Sequence, residues 1–99
     1  MVMYMNTYKL KKATSVSDFK QAAAAVAKEI SENHKGFVSF KLLTEGDGWA
    51  DFIMWDSMES YNAFMEAAQS SPTEAALLFY SFLNMPSCKS RVYTVEVEM

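Results

Sequence analysis

The amino-acid sequence predicts an α+β fold with the element order β-α-β-β-α-α-β. Three observations carry this. Runs free of breakers and rich in Val, Tyr, Thr and Met stand near both ends of the chain. Two segments between them repeat apolar residues at the three-and-four spacing of a helix face. The centre holds two β-prone runs joined by Gly46-Asp47-Gly48, a strong hairpin signal. Two βαβ halves in this order give a ferredoxin-like βαββαβ sandwich, a four-stranded antiparallel sheet with its helices on one face.

Taken in order, residues 2 to 10 read as the first strand, and the polar stretch from Lys11 to Ser15 as a connection. A helix starts near Ser15 or Ser17, either of which can cap it, with Asp18 in the first turn. Phe19, Ala23, Val26 and Ile30 form its apolar face, and Gly36 is its natural stop. Residues 37 to 45 and 49 to 56 are the hairpin strands. Asp56 or Ser57 caps a second helix, with Glu59 three residues after Asp56 as in a capping box. Its apolar face is Met58, Tyr61, Phe64/Met65 and Ala68. Ser70-Ser71-Pro72 ends that helix, and Ser71-Pro72-Thr73-Glu74 starts a short third one running to Leu83. Asn84-Met85-Pro86-Ser87 reads as a break, and residues 91 to 99 as the last strand.

The length of 99 residues implies one domain spanning 1–99. Two Trp, five Tyr and seven Phe are a heavy aromatic load for so small an interior. A chain of this size hides only roughly 60–65% of its unfolded surface. Lys and Arg total 9 against 12 Asp and Glu, for a net charge of -3, which argues against nucleic acid as a partner. No apolar run reaches the roughly 18 residues needed to span a bilayer, and the N-terminus lacks the pattern of a signal peptide. A single cysteine, Cys88, fits a reducing compartment, so the expected location is cytoplasmic.

The hairpin departs from the usual one-sided sheet. Along the third strand Trp49, Ile53 and Trp55 share one parity, and Ala50, Phe52 and Met54 the other, so both faces are apolar apart from Asp51. Helices cover one face only. A second copy of the same sheet is the simplest cover for the other, which predicts a homodimer with its sheets face to face.

The string Trp49-Ala50-Asp51-Phe52-Ile53-Met54-Trp55-Asp56-Ser57-Met58-Glu59-Ser60-Tyr61 resembles the centre of the antibiotic biosynthesis monooxygenase-like (ABM) family. There, an apolar strand ends in Trp plus an acidic residue, and Ser opens a helix with an aromatic residue one turn in. The element order fits over essentially the whole chain, and the sequence-specific part covers residues 49 to 72. The resemblance implies a dimeric α/β barrel. It also implies several activities, among them oxygenases that need no cofactor and act on polycyclic phenols or quinols, and enzymes that degrade haem. Fold alone does not choose between them.

The resemblance places Asn6, by strand register, where an Asn of the first strand faces the substrate. An amide there can hydrogen-bond a phenolate without titrating. Tyr4, Trp55, Tyr61, Phe64, Phe79 and Tyr80 are the candidates to line a flat slot for a planar aromatic ligand, although helical spacing alone also fits ordinary core packing. The haem-degrading relatives carry a Trp on the second helix and an axial His about ten residues later. Phe64 falls near the Trp position, residues 73 to 77 hold no His, and Tyr80 is the nearest substitute. His34, the only histidine, is expected to sit at the end of the first helix and serve it structurally. Asp51, a lone carboxylate on an apolar strand, could act as a general base, but pairing with a Lys or Arg, or a place at a dimer rim, is the favoured expectation. Cys88 has no sequence-near His to activate it, and no His/Cys/Asp cluster has metal spacing.

The sequence thus favours a cofactor-independent monooxygenase acting on a planar aromatic or quinone-type molecule, with no metal and no cofactor. The alternatives are a non-catalytic dimeric ligand-binding or stress-response module and, behind it, a haem-degrading monooxygenase.

Overall fold

The strand that sequence makes most regular becomes the spine of the sheet. β1 (Val2–Leu10) lies between β3 (Gly48–Trp55) and β4 (Leu83–Thr94), and β2 (Phe37–Glu45) pairs with the far side of β3. The sheet order is β2-β3-β1-β4 with antiparallel neighbours throughout. The computed structural model describes residues 1–99. No helix is long and apolar enough to cross a membrane.

Three helices pack on one face: α1 (Val16–Asn33), α2 (Met58–Ser70) and α3 (Glu74–Ser81). Each begins at a hydroxyl that accepts a backbone N–H two or three residues into the helix. Ser15 takes that of Asp18, Ser57 that of Ser60 and Thr73 that of Ala76. Asp56 therefore does not cap α2; its carboxylate accepts from the Ser60 hydroxyl at 2.7 Å. Pro72 lies before α3 rather than in its first turn, because Ser71 still closes α2.

The turn from α1 into β2 rests on Gly36, whose φ is +85°. A Cβ there would strike the Ser60 hydroxyl and the Asp56 carboxylate, so this position requires glycine on both counts. Its carbonyl accepts the Asp56 N–H at 2.9 Å, tying the start of β2 to the end of β3.

The last strand differs from the sequence expectation in both directions. It starts at Leu83, because β4 is an edge strand where Pro86 needs no ladder partner. Residues 85 to 88 form an excursion opposite Tyr8: Thr7 pairs with Lys89 and Lys9 already with Asn84. The excursion is pinned by the Lys9 N–H, which donates to the Ser87 hydroxyl at 2.9 Å. The strand stops at Thr94 because its partner runs out. Val2 pairs with Thr94, and the Val95 N–H takes the Met1 carbonyl as a final bond.

The core is split. Tyr8, Phe19, Ala23, Phe79 and Leu83 form one buried cluster, and Val2, Ile30, Ile53 and Trp55 a second. They occupy opposite ends of the inner sheet face. Along β1, Tyr4 and Asn6 lie between Val2 and Tyr8, and on β3 Asp51 lies between Ile53 and Trp49.

The outer face is arranged in rows across the four strands. One row reads Lys41, Phe52, Met5, Arg91 and the next Ser39, Met54, Met3, Tyr93. The centre of this uncovered face is apolar; its cations are Lys41, Lys89 and Arg91 on the two edge strands and Lys9 at the end of β1.

Candidate active site

A cavity of about 560 Å³ lies between the two core clusters, floored by the inner sheet face and roofed by the helices. Strand alternation supplies the floor: Tyr4, Asn6 and Tyr8 from β1, Asp51 and Ile53 from β3, and Cys88 and Ser90 from β4. The roof includes Ile30 and His34 at the end of α1, Phe64 and Met65 from α2, and Phe79 and Tyr80 from α3. Most lining residues are apolar or aromatic; polar side chains stand both on the floor, at Asn6, Asp51 and Ser90, and along the helical wall, at Glu29, His34, Gln69, Ser70, Ser71 and Thr73.

The polar groups of the floor are aligned by register. Asn6 faces Asp51 across one ladder and Ser90 across the other. Three hydrogen bonds join them. The Ser90 hydroxyl donates to Asn6 Oδ1 at 2.5 Å, Asn6 Nδ2 donates to Asp51 Oδ1 at 3.0 Å, and the Tyr8 hydroxyl donates to Asp51 Oδ2 at 2.6 Å. Both oxygens of Asp51 thus accept, which is the pattern an ionised carboxylate requires. Asn6 keeps one N–H beyond its bond to Asp51.

Asp51 is 4% exposed and has neither Lys nor Arg beside it. Burial pushes its pKa above the ordinary carboxylate value, against the opposing pull of the Tyr8 and Asn6 hydrogen bonds. The expected pairing with a cation, or place at a rim, is therefore replaced by a buried site with two neutral donors. Burial, reinforced by the Asp51 charge, raises Tyr8 well above the usual phenol range, so it stays a donor. The same two causes raise Cys88, which keeps its thiol protonated and a poor nucleophile.

The structure gathers Tyr4, Asn6, Phe64, Phe79 and Tyr80 around this cavity and leaves Trp55 and Tyr61 outside it. Trp55 is fully buried and packs behind Phe64 in a tilted pair, 5.0 Å between ring centroids. Its parity on β3 is right, but Phe64 stands between it and the cavity. Tyr61 packs on the back of Tyr4 at 5.3 Å. His34 does close α1, as its cap, but it also lines the cavity, with its ring against Phe64 at 5.2 Å. Sequence reasoning ranked Asp51 as a general base below a structural role, noted Tyr8 only as a neighbour of Asn6, and missed Ser90 and the link among the three. The signal for two of them was present: Tyr8 shares the parity of Asn6, and Asp51 is the one charge on the Trp49–Trp55 face. No three His, Cys, Asp or Glu side chains come together as a metal-holding group.

No protein-family model and no curated protein matches the chain. Solved structures do. SnoaB, a cofactor-independent oxygenase from Streptomyces nogalater, is 17% identical, with 99% of this chain and 95% of that chain covered and a TM-score of 0.78. A protein of Caulobacter crescentus CB15 gives 15% identity, coverage of 96% and 90%, and a TM-score of 0.72. One of Nitrosomonas europaea gives 15% identity, coverage of 98% and 100%, and a TM-score of 0.71. Both of these are named as antibiotic biosynthesis monooxygenases. The chain therefore has the fold of the antibiotic biosynthesis monooxygenase structures.

Proposed function

We propose that the protein is a cofactor-independent oxygenase of planar hydroxylated aromatics, and that Asp51 is its general base. The observation that carries this is a buried carboxylate with a donor on each oxygen, at the floor of a 560 Å³ cavity walled by aromatic side chains. Such a carboxylate is more basic than one in water, and a phenol or activated ring CH₂ is the acid it would meet. The likeness to SnoaB supports the reading at the level of fold.

In this reading the substrate lies against Tyr4, Phe64 and Tyr80, with its oxygen toward the second N–H of Asn6. Asp51 takes a proton from the activated ring CH₂, and one unit of negative charge passes from the carboxylate to the substrate. The resulting carbanion forms a C–O bond to dioxygen. The proton held by Asp51 returns to the peroxide, and loss of water leaves a carbonyl. One oxygen atom enters the product, the other leaves as water, and the substrate supplies all the electrons. Tyr8 and Asn6 move no proton in this scheme; their donors hold Asp51 in place and ionised.

Oxygen uptake by the purified protein with anthrone and naphthoquinol probes tests this. Uptake above the uncatalysed rate is expected, and Asn6→Ala should reduce it by about ten-fold or more through loss of one oriented donor. Uptake at the uncatalysed rate would sink the catalytic reading, and the cavity would then be that of a binding module.

The protein acts as a homodimer in the same reading, with the outer sheet faces apposed. An apolar centre of Met3, Met5, Phe52 and Met54 inside a charged edge has the anatomy of a protein interface. Light scattering should give twice the 11.2 kDa chain mass at micromolar concentration. Phe52→Glu, which buries a charge at that centre, should bring it down to the chain mass. A wild-type protein at the chain mass refutes the dimer.

A further inference from the structure

We propose that this cavity selects its ligand by charge, taking uncharged and ammonium-bearing planar aromatics and excluding carboxylated or sulfonated ones. The inference rests on the cavity reading above and adds a substrate class to it. It starts from where the chain puts its cations. None of the nine Lys and Arg side chains lines the cavity. On the strands this is a matter of parity. The inner row of each strand is marked by Asn6, Phe40, Asp51 and Ser90, all of which line the cavity. Lys9, Lys41, Lys89 and Arg91 each stand one residue, or an odd number of residues, away from these positions. All four are thereby sent to the outer face.

The inner face keeps the opposite sign. Asp51 is the one charged residue of the floor, and Glu29 of α1 adds a second carboxylate to the wall. Glu29 is held there, since its Oε1 accepts the Thr73 hydroxyl at 2.5 Å, at the N-terminus of α3. A ligand anion would sit near two carboxylates with no Lys or Arg in reach, His34 on the roof being the one basic side chain of the lining, and the largely apolar surroundings screen charge poorly. A ligand ammonium would meet those carboxylates and the ring faces of Tyr4 and Tyr80, which attract cations.

The test uses three fluorescent probes of one shape: a hydroxyanthracene, its aminomethyl derivative and its sulfonate. Binding to the wild-type protein is read by anisotropy at low salt. The sulfonate is expected to bind about ten-fold or more weaker than the uncharged probe, and the ammonium probe at least as tightly. Glu29→Gln retains an acceptor for Thr73 and removes one charge, so the gap between ammonium and sulfonate should narrow several-fold. Asp51→Asn should narrow it too. Sulfonate binding equal to that of the uncharged probe overturns the charge selection and leaves the oxygenase reading standing. A gap unchanged in both variants also overturns it, because the carboxylates would not be its source. Failure of all three probes to bind overturns the cavity reading and this proposal together.

Discussion

Asp51→Asn is expected to lower the oxygenation rate by about a hundred- to ten-thousand-fold, the range a positioned general base supplies. The substitution keeps the shape of the side chain and its place between Ile53 and Trp49. It replaces one accepting oxygen by an NH₂ group, which then faces a donor, either the Asn6 amide or the Tyr8 hydroxyl. Substrate affinity measured without oxygen should change far less than the rate. A variant that retains wild-type turnover would remove Asp51 from the chemistry.

The same substitution has a signature in stability against pH. The folded pKa of Asp51 lies above its ordinary value of 3.8 because burial disfavours the charge. The folded state thus holds this proton more tightly than the unfolded chain does. The protein should lose stability as pH rises from 3.8 through the raised folded value, and the loss should level off above it. Asp51→Asn has no proton to lose, so its melting temperature should lack that segment of the profile. A wild-type profile that rises over this interval, with the variant parallel to it, would contradict the assignment.

Phe19→Ala should cost about 3–5 kcal/mol, as expected for deleting a fully buried ring. Phe19 is inaccessible to solvent and is the hub of a ring cluster. Its centroid lies 5.2 Å from Trp49, 5.6 Å from Phe79, 6.1 Å from Phe82 and 6.3 Å from Tyr8. These neighbours come from the sheet, from α3 and from the segment after it, so the cavity left behind cannot close by moving one element. Thermal melting should fall by about 15 °C or more for a domain of this size. A drop of only a few degrees would mean that the cluster repacks. Activity should fall as well below the transition, because Phe19 backs the Tyr8 ring that donates to Asp51.

Much of the fold could be read from the sequence because each element there declares its own period. Phe19, Ala23 and Ile30 state the buried face of α1, and Gly46-Asp47-Gly48 states the hairpin. The last strand was harder to read. Pro86 argues against a strand until one knows that β4 lies on an edge, and the end at Thr94 depends on where β1 begins. Both are facts about a neighbour, not about the segment. The site divides in the same way. Asn6 stands out alone, as a polar residue in an apolar run. Its link to Asp51 and Ser90 spans 45 and 84 residues and is written in ladder register, which local pattern does not encode. Trp55 shows the reverse case: its parity points to the cavity, and only the third dimension puts Phe64 in the way.

The polar row across the floor also acts on the pairing of the strands themselves. A slip of β1 by one residue would turn Asn6 and Tyr8 outward and bring Met5 or Thr7 under the helices. Asp51 would then be buried without its donors, a penalty of several kcal/mol on top of every misplaced apolar side chain. Met3 and Met5 alternate with Val2 and Tyr4 on a strand apolar on both faces, so hydrophobicity by itself distinguishes the two alignments weakly. The hydrogen bonds that would prepare the carboxylate for a substrate therefore proofread the assembly of the sheet, and a chain that folds in the wrong register forfeits fold and chemistry at one point.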